Sequence, residues 1–514
     1  ITKATGLVMP DTSLLSPVTV PLGGGLILDQ DDFSIPPGSA IELQNFEPSI
    51  NGGYRRLSGT TKWDSNQVNG SNAILGTKIF NNGVVAAAGN LVRFSTGSGW
   101  STIGTRTSAG RYKFDTFNFN NTNKLIMVDD VNQAATYDGS TYTLISTTGA
   151  PADAASVAVF RDHVFFAGMS TNPQEVVFSA PFAETDFTAA NGAGSIRVDT
   201  SVTALKVFRD VLYIFGLDKI YKLAGSSIAD FQVQPVTRTL GCADGFSVQE
   251  LGGDLIFLSL DGLRTIAGTE KIGDVELGTL SKPIQRRIQD VVANRANITS
   301  TVIRGKSQYR IFYPTSATET AASVRGVLGT LKRTPQGGVG FEWGDIKGLK
   351  PSSMDSDFIS GVEYVIEGGF DGYVRQQEST TVFTFDGENI IALYRSPDLS
   401  LGDAGIRKLM QRVILNYEVE GTIAAELRIR YDSDSIDVPQ PEALDITSPG
   451  GTAVYGAAAS LYASAVYGSS GTPVFRQSIE GSGFLVAVKI NHDSSNRPFT
   501  LNSYQFEFTP GGRR

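Results

Sequence analysis

The chain has 514 residues, 41% of them hydrophobic, with 56 glycines and a formal net charge of −9. That composition supports a large core and excludes a generally basic, DNA-gripping surface. With Cys242 as the single cysteine, it also excludes an intrachain disulfide and a cysteine-built zinc site.

Residues 1–65 read as an extended, irregular arm. Pro10, Pro17, Pro21, Pro36, Pro37 and Pro48, with Gly23, Gly24 and Gly25, block helix and central strand. Ile27, Leu28, Phe33, Ile41, Leu43 and Phe46 predict that the arm lies pinned on a folded surface. Asp29, Asp31 and Asp32 read as surface charges. The opening ITKATGLVMP lacks the apolar core of a secretion signal, and no apolar run is long enough for a membrane-spanning helix.

Residues 66–378 carry short strand runs rich in aromatic and β-branched residues, punctuated by Asp-Gly, Asn-Gly and Gly-Gly. Two segments are near-copies: VAVFRDHVFFAG begins at Val157 and LKVFRDVLYIFG at Leu205, 48 residues later. Each reads as a strand, a two-residue Arg-Asp turn and a second strand. A repeat of that period predicts an all-β fold built on a β-propeller, with six blades favoured. One helix interrupts the array. Ser281 is its expected cap, Pro283 lies in its first turn, and Ile284, Ile288, Val291 and Val292 share a face.

From residue 379 to 514 the texture changes to alternating strands around Val413–Tyr417, Ala424–Tyr431, Phe484–Ile490 and Leu501–Phe508, predicting a β-sandwich-like domain. Between them lies a Gly-Ala-Ser-Tyr tract, Gly450 to Gly471, whose tyrosines are expected to dock on something.

Catalytic motifs are scarce, and no catalytic, metal or cofactor-binding residue is expected. His163 aligns with Val211 in the sister repeat, which points to packing. His492 reads as part of a polar turn. Gly305-Lys306-Ser307 lacks the upstream glycine of a phosphate loop, since Ser300 stands there. Asp432, Asp434 and Asp437 read as a solvated turn, because no glycine or closing glutamate completes a calcium loop. Ser259-Leu260-Asp261-Gly262 is an incomplete sialidase-type box and reads as an ordinary hairpin.

The most specific segment runs from Asp32-Phe33 through IPPGSAIELQNFEPSINGGYRRLSGTTKW, Ile35 to Trp63. It resembles the N-terminal signature of tail proteins of short-tailed bacteriophages, the nozzle (tubular tail protein B) of T7-like phages and the packaged-DNA stabilisation protein of P22-like phages. FDGENIIALYRSPDLSLGDAGIRKLMQRVILNYEVEG, Phe385 to Gly421, is similar to the start of that family's region after the propeller. The resemblance implies a structural, non-enzymatic component of the virion tail, assembled in the host cytoplasm. It implies a hexameric ring below the portal and an adaptor ring, with tail fibres or spikes as further neighbours. Genomic DNA is then retained, and later passes through the channel without specific binding. Arg55, Arg56 and Trp63 are the arm residues expected to dock on a neighbour. The competing expectations are a host-glycan-binding tail propeller and a glycan hydrolase.

Overall fold

A computed structural model describes residues 16–107, 109–267, 279–315, 323–333, 339–448 and 474–513. The backbone divides into two compact units, Ser58–Glu388 and a second made of Ile1–Leu57 with Asn389–Arg514.

The first unit is a β-propeller. Its first blade is a four-stranded antiparallel meander of Ile74–Phe80, Gly83–Ala88, Leu91–Ser95 and Ser101–Thr105. Residues 113–144, 156–197 and 202–237 form the next three blades, and residues 299–347 another. In the last blade Gly59–Lys62 supplies the fourth strand, pairing with Val374–Ser379. These are the six four-stranded blades that the repeat predicts. A three-stranded sheet, residues 249–265, follows the fourth of them. The closing strand needs Gly59, since a Cβ there would lie 2.4 Å from the Val382 carbonyl oxygen.

The expected Arg-Asp turns are present. Arg161-Asp162 and Arg209-Asp210 join the inner two strands of their blades, and both residues of each pair have positive φ. That is the backbone of a type I′ hairpin, whose twist matches the flanking strands. Asn81-Asn82 and Asn120-Asn121 do the same in the first two blades. Asparagine tolerates this region best after glycine. Blades pack through apolar faces: Phe160, Phe165 and Phe178 of one meet Leu212, Ile214 and Leu223 of the next. Each fully buried side chain of this kind contributes about 2–3 kcal/mol.

The interrupting helix spans Gln285–Ala293, preceded by a 3-10 turn, Lys282–Ile284. Ile284, Ile288 and Val291 are buried, so the apolar face packs inward as the sequence predicts. Ser281 does not cap it. Its hydroxyl accepts from the Leu263 N–H, 3.1 Å away, which commits the oxygen elsewhere.

The second unit contains two antiparallel sheets. One orders Phe46–Pro48, Tyr54–Arg56, Phe499–Arg513, Ile406–Val419 and Val474–Ser478, and Ser16–Pro21 also pairs with Phe499–Arg513. The other contains Glu42–Gln44, Glu388–Arg395, Val486–Ser494, Ile423–Tyr431 and Leu444–Ser448. Tyr54 and Tyr394 meet with ring centroids 5.5 Å apart, and Phe499 touches both Phe46 and His492. The arm is therefore not a separate body. Its strands are members of these sheets, while residues 59–62 belong to the propeller. Ile27, Leu43 and Phe46 are buried as expected, whereas Phe33 is 67% exposed. The tyrosine-rich tract, residues 450–471, lies outside the described residues.

Candidate functional site

A propeller's innermost strands leave one edge unpaired and facing the axis, and those N–H groups need acceptors. Neighbouring blades supply them. Asp115 accepts from the Val159 N–H of the next blade at 2.8 Å. Ser156 accepts from the Leu205 N–H of the blade after it at 2.9 Å. Asp355 of the last blade accepts from the Ile79 N–H of the first at 2.8 Å. All three acceptors stand four residues before the end of their strands, Lys113–Phe119, Ser156–Phe160 and Pro351–Ile359. The two aspartates reach the penultimate residue of the next strand, and the shorter serine reaches a donor lower down.

The inner strands surround an axial pocket of about 410 Å³. Three lysines and two aspartates line it: Lys78, Lys113, Lys206, Asp115 and Asp355. Their environments differ. Lys78 Nζ binds both Asp355 oxygens at 3.1 and 3.2 Å and Asp357 at 3.1 Å. Burial opposes its charge, but the two carboxylates outweigh burial and raise its pKa. Lys113 donates to the Thr203 carbonyl at 3.0 Å and lies 4.8 Å from the centroid of the Phe246 ring. Burial lowers its pKa, with Asp244 only partly opposing. Burial likewise raises the Asp115 pKa, against attraction from Lys206 and two backbone N–H bonds. The arrangement can hold a small polar molecule. It shows no nucleophile paired with a base, and among the described residues no cluster of metal-ligating side chains occurs.

The three arm residues singled out in the sequence are engaged inside the chain. Arg55 forms a two-point ion pair with Glu420, at 2.7 and 3.0 Å, and a third contact with Glu47. Arg56 is fully buried and donates to the Asn496 and Ser494 carbonyls at 2.8 and 3.0 Å. Burial and the neighbouring Arg55 lower its pKa to about 10. Trp63 lies in the other unit, donating to the Ser95 carbonyl and meeting Tyr364 edge to face.

Other sequence readings resolve as follows. His163 is buried against Phe178 and Phe231, with Nδ1 2.6 Å from the Ser179 carbonyl, so it is a packing residue. His492 is not in a polar turn. It lies in the strand Val486–Ser494 and is 1% exposed, because strand alternation turns it inward against Phe499. Asp432 and Asp434 are not simply solvated. Asp432 accepts from the Phe484 and Leu485 N–H groups at 2.8 Å, and Asp434 pairs with Arg430 and Arg395. Asp261 pairs with Arg264 in an ordinary hairpin. Lys306 sits in a 3-10 turn between strands and pairs with Glu378. The axial charges were missed in the sequence. The available signal was a polar residue four positions before the inner turn in three of the blades, Asp115, Ser156 and Asp355.

Fold and site together define a β-propeller protein carrying a second, sandwich-like unit. No family model matches the chain, and no curated protein matches it. Among solved structures, the chain is similar to the extracellular domain of a hybrid two-component system from B. thetaiotaomicron, at 10% identity and TM-score 0.39, over 63% of this chain and 40% of that one. The chain thus spans less than half the length of that structure. BamB from Moraxella catarrhalis is 11% identical with TM-score 0.36, over 63% of this chain and 98% of that one.

Proposed function

We propose that this chain is a structural component of a phage tail, a nozzle or plug ring below an adaptor, which retains packaged DNA and conducts it during ejection. One observation carries the reading beyond the sequence resemblance. The two segments that carry the resemblance, residues 35–63 and 385–421, meet largely within one unit, where Arg55 clasps Glu420 and Tyr54 packs on Tyr394. The propeller is then an insertion into a platform built from both segments. A platform of that kind suits lateral contacts in a ring, because a closed propeller offers few free edges. The acidic composition suits a wall that DNA passes without adhering.

Native mass measurement and negative-stain imaging of the purified chain, alone and with its neighbouring ring protein, test the reading. The expected result is a six-fold ring with a central opening. A stable monomer that ignores the adaptor would overturn it.

A further inference from the structure

A strand at the end of a sheet presents unpaired backbone groups, and proteins block or cover such edges. In the sheet that holds Phe499–Arg513, the end strands differ in how this is done. Phe46–Pro48 is buried along its length. Ser16–Pro21 is blocked. The Leu22 N–H donates to the Asn502 carbonyl, so Val18 and Val20 turn their backbone groups toward Phe499–Arg513, while Pro17, Thr19 and Pro21 turn theirs outward. Of those three, only Thr19 has an N–H to offer.

Val474–Ser478 has neither protection. Among the described residues it pairs only with Ile406–Val419, and every residue but Phe475 is exposed. The Ile479 N–H donates to the Gln411 carbonyl, which turns the backbone groups of Phe475 and Gln477 toward that neighbour and those of Val474, Arg476 and Ser478 outward. None of the outward three is a proline.

The blocked strand and the open strand flank the paired Ile406–Val419 and Phe499–Arg513 on opposite sides. The chain enters Ser16 from residues 1–15, which lie outside the described residues. A segment of that length reaches about 50 Å when extended, against about 14 Å across these strands. Ile1 to Met9 holds no proline, and its β-branched Ile1, Thr2, Thr5 and Val8 suit a strand. A donor segment on one side of a sheet and an acceptor edge on the other are the two unlike surfaces that a head-to-tail contact between identical copies needs. We propose that Val474–Ser478 is the acceptor edge for a second copy of this chain, whose residues 1–9 add to it as a further strand. It is the lateral contact of the ring proposed above, and its head-to-tail direction rests on that reading.

Sedimentation of the full chain tests it, beside Arg476→Pro, Arg476→Ala and a chain lacking residues 1–15. Proline at position 476 removes an outward N–H and spares the pairing with Ile406–Val419, so the variant is expected to keep the wild-type circular dichroism. The half-assembly concentration is expected to rise roughly tenfold or more in Arg476→Pro and in the shortened chain, and to stay within about threefold in Arg476→Ala, which keeps the N–H. A synthetic peptide of residues 1–15 is expected to bind the shortened chain and not its Arg476→Pro form. A wild-type chain that stays monomeric overturns the proposal, because the segment then serves its own edge or none. So does an assembly that Arg476→Pro leaves at wild-type strength, the result expected if residues 449–473 of the same chain cover the edge. An assembly of another order than six that responds to Arg476→Pro as described keeps the contact and overturns the ring reading alone.

Discussion

The two units solve the same problem, pairing strands around a core, over very different stretches of chain. In the propeller, Phe160 pairs with His163 across a two-residue turn, and each blade closes almost entirely on itself. In the sandwich unit, Ser16 pairs with Phe508 and Tyr54 with Leu501. Local pairing costs little loop-closure entropy, whereas the distant pairs must be held by specific side-chain contacts. The propeller accordingly repeats one device, a polar side chain capping the next blade's N–H. The sandwich relies on single, unrepeated anchors such as Arg56.

If that contrast is right, removing one anchor should hurt the sandwich more than removing one cap hurts the propeller. Arg56→Ala leaves two buried carbonyls without their donor and opens a cavity, and is expected to cost about 4 kcal/mol. Urea unfolding monitored by hydrogen exchange should place the loss in residues 16–57 and 389–513. A loss spread evenly over both units would break the comparison.

A pH effect should sit in the same unit. Burial, then the nearby Arg56 charge, lowers the His492 pKa to about 4 from its ordinary 6.5. Between those values the unfolded chain binds the proton more readily, so stability rises with pH across that window and is lost as pH falls through it. The full loss is on the order of 3 kcal/mol. His492→Gln should flatten the profile of the sandwich unit between pH 7 and 4. An unchanged slope would show that other groups carry it.

Next comes Asp355→Ala, which removes both the Ile79 cap and one partner of Lys78, at an expected cost of about 2–3 kcal/mol. Asp355→Asn keeps the cap and loses the charge, so the difference between the two variants isolates the capping bond. Equal losses would mean that the N–H cap contributes nothing. The smallest effect is expected beside the largest. Glu420→Ala breaks only the half-exposed side of the Arg55 cluster, leaves Arg55 on the buried Glu47, and should cost under about 1 kcal/mol. Thermal melts of the Glu420 and Arg56 variants make the comparison.

The propeller was legible because its signals are local. The Arg-Asp hairpins and the 48-residue echo can be read within a short window. The sandwich strands were also readable, through alternation. Their partners were not, because nothing near Pro17 or Tyr54 announces a strand that follows more than four hundred residues later. Proline density suggested an irregular arm, yet Pro17 and Pro21 both lie in the strand Ser16–Pro21, which pairs along its length with Phe499–Arg513. His492 was misread for a related reason. Its neighbours Asn491 and Asp493 look like turn residues, and only the core beneath the sheet decides which way the imidazole faces. The axial pocket went unread, since its lysines and aspartates come from four different blades and converge only when the ring closes.

The long-range pairing also sets a timetable for synthesis. Lys62 waits for Arg375, and Ser16 waits for Phe508. At roughly 5–20 residues per second, the early strands emerge tens of seconds before their partners. Blades can form one after another as they leave the ribosome, while the sandwich must assemble last. A chain interrupted between residue 379 and residues 499–513 would carry folded blades and no completed platform. If the platform is what neighbours recognise, unfinished chains are kept out of the assembly without any separate inspection step.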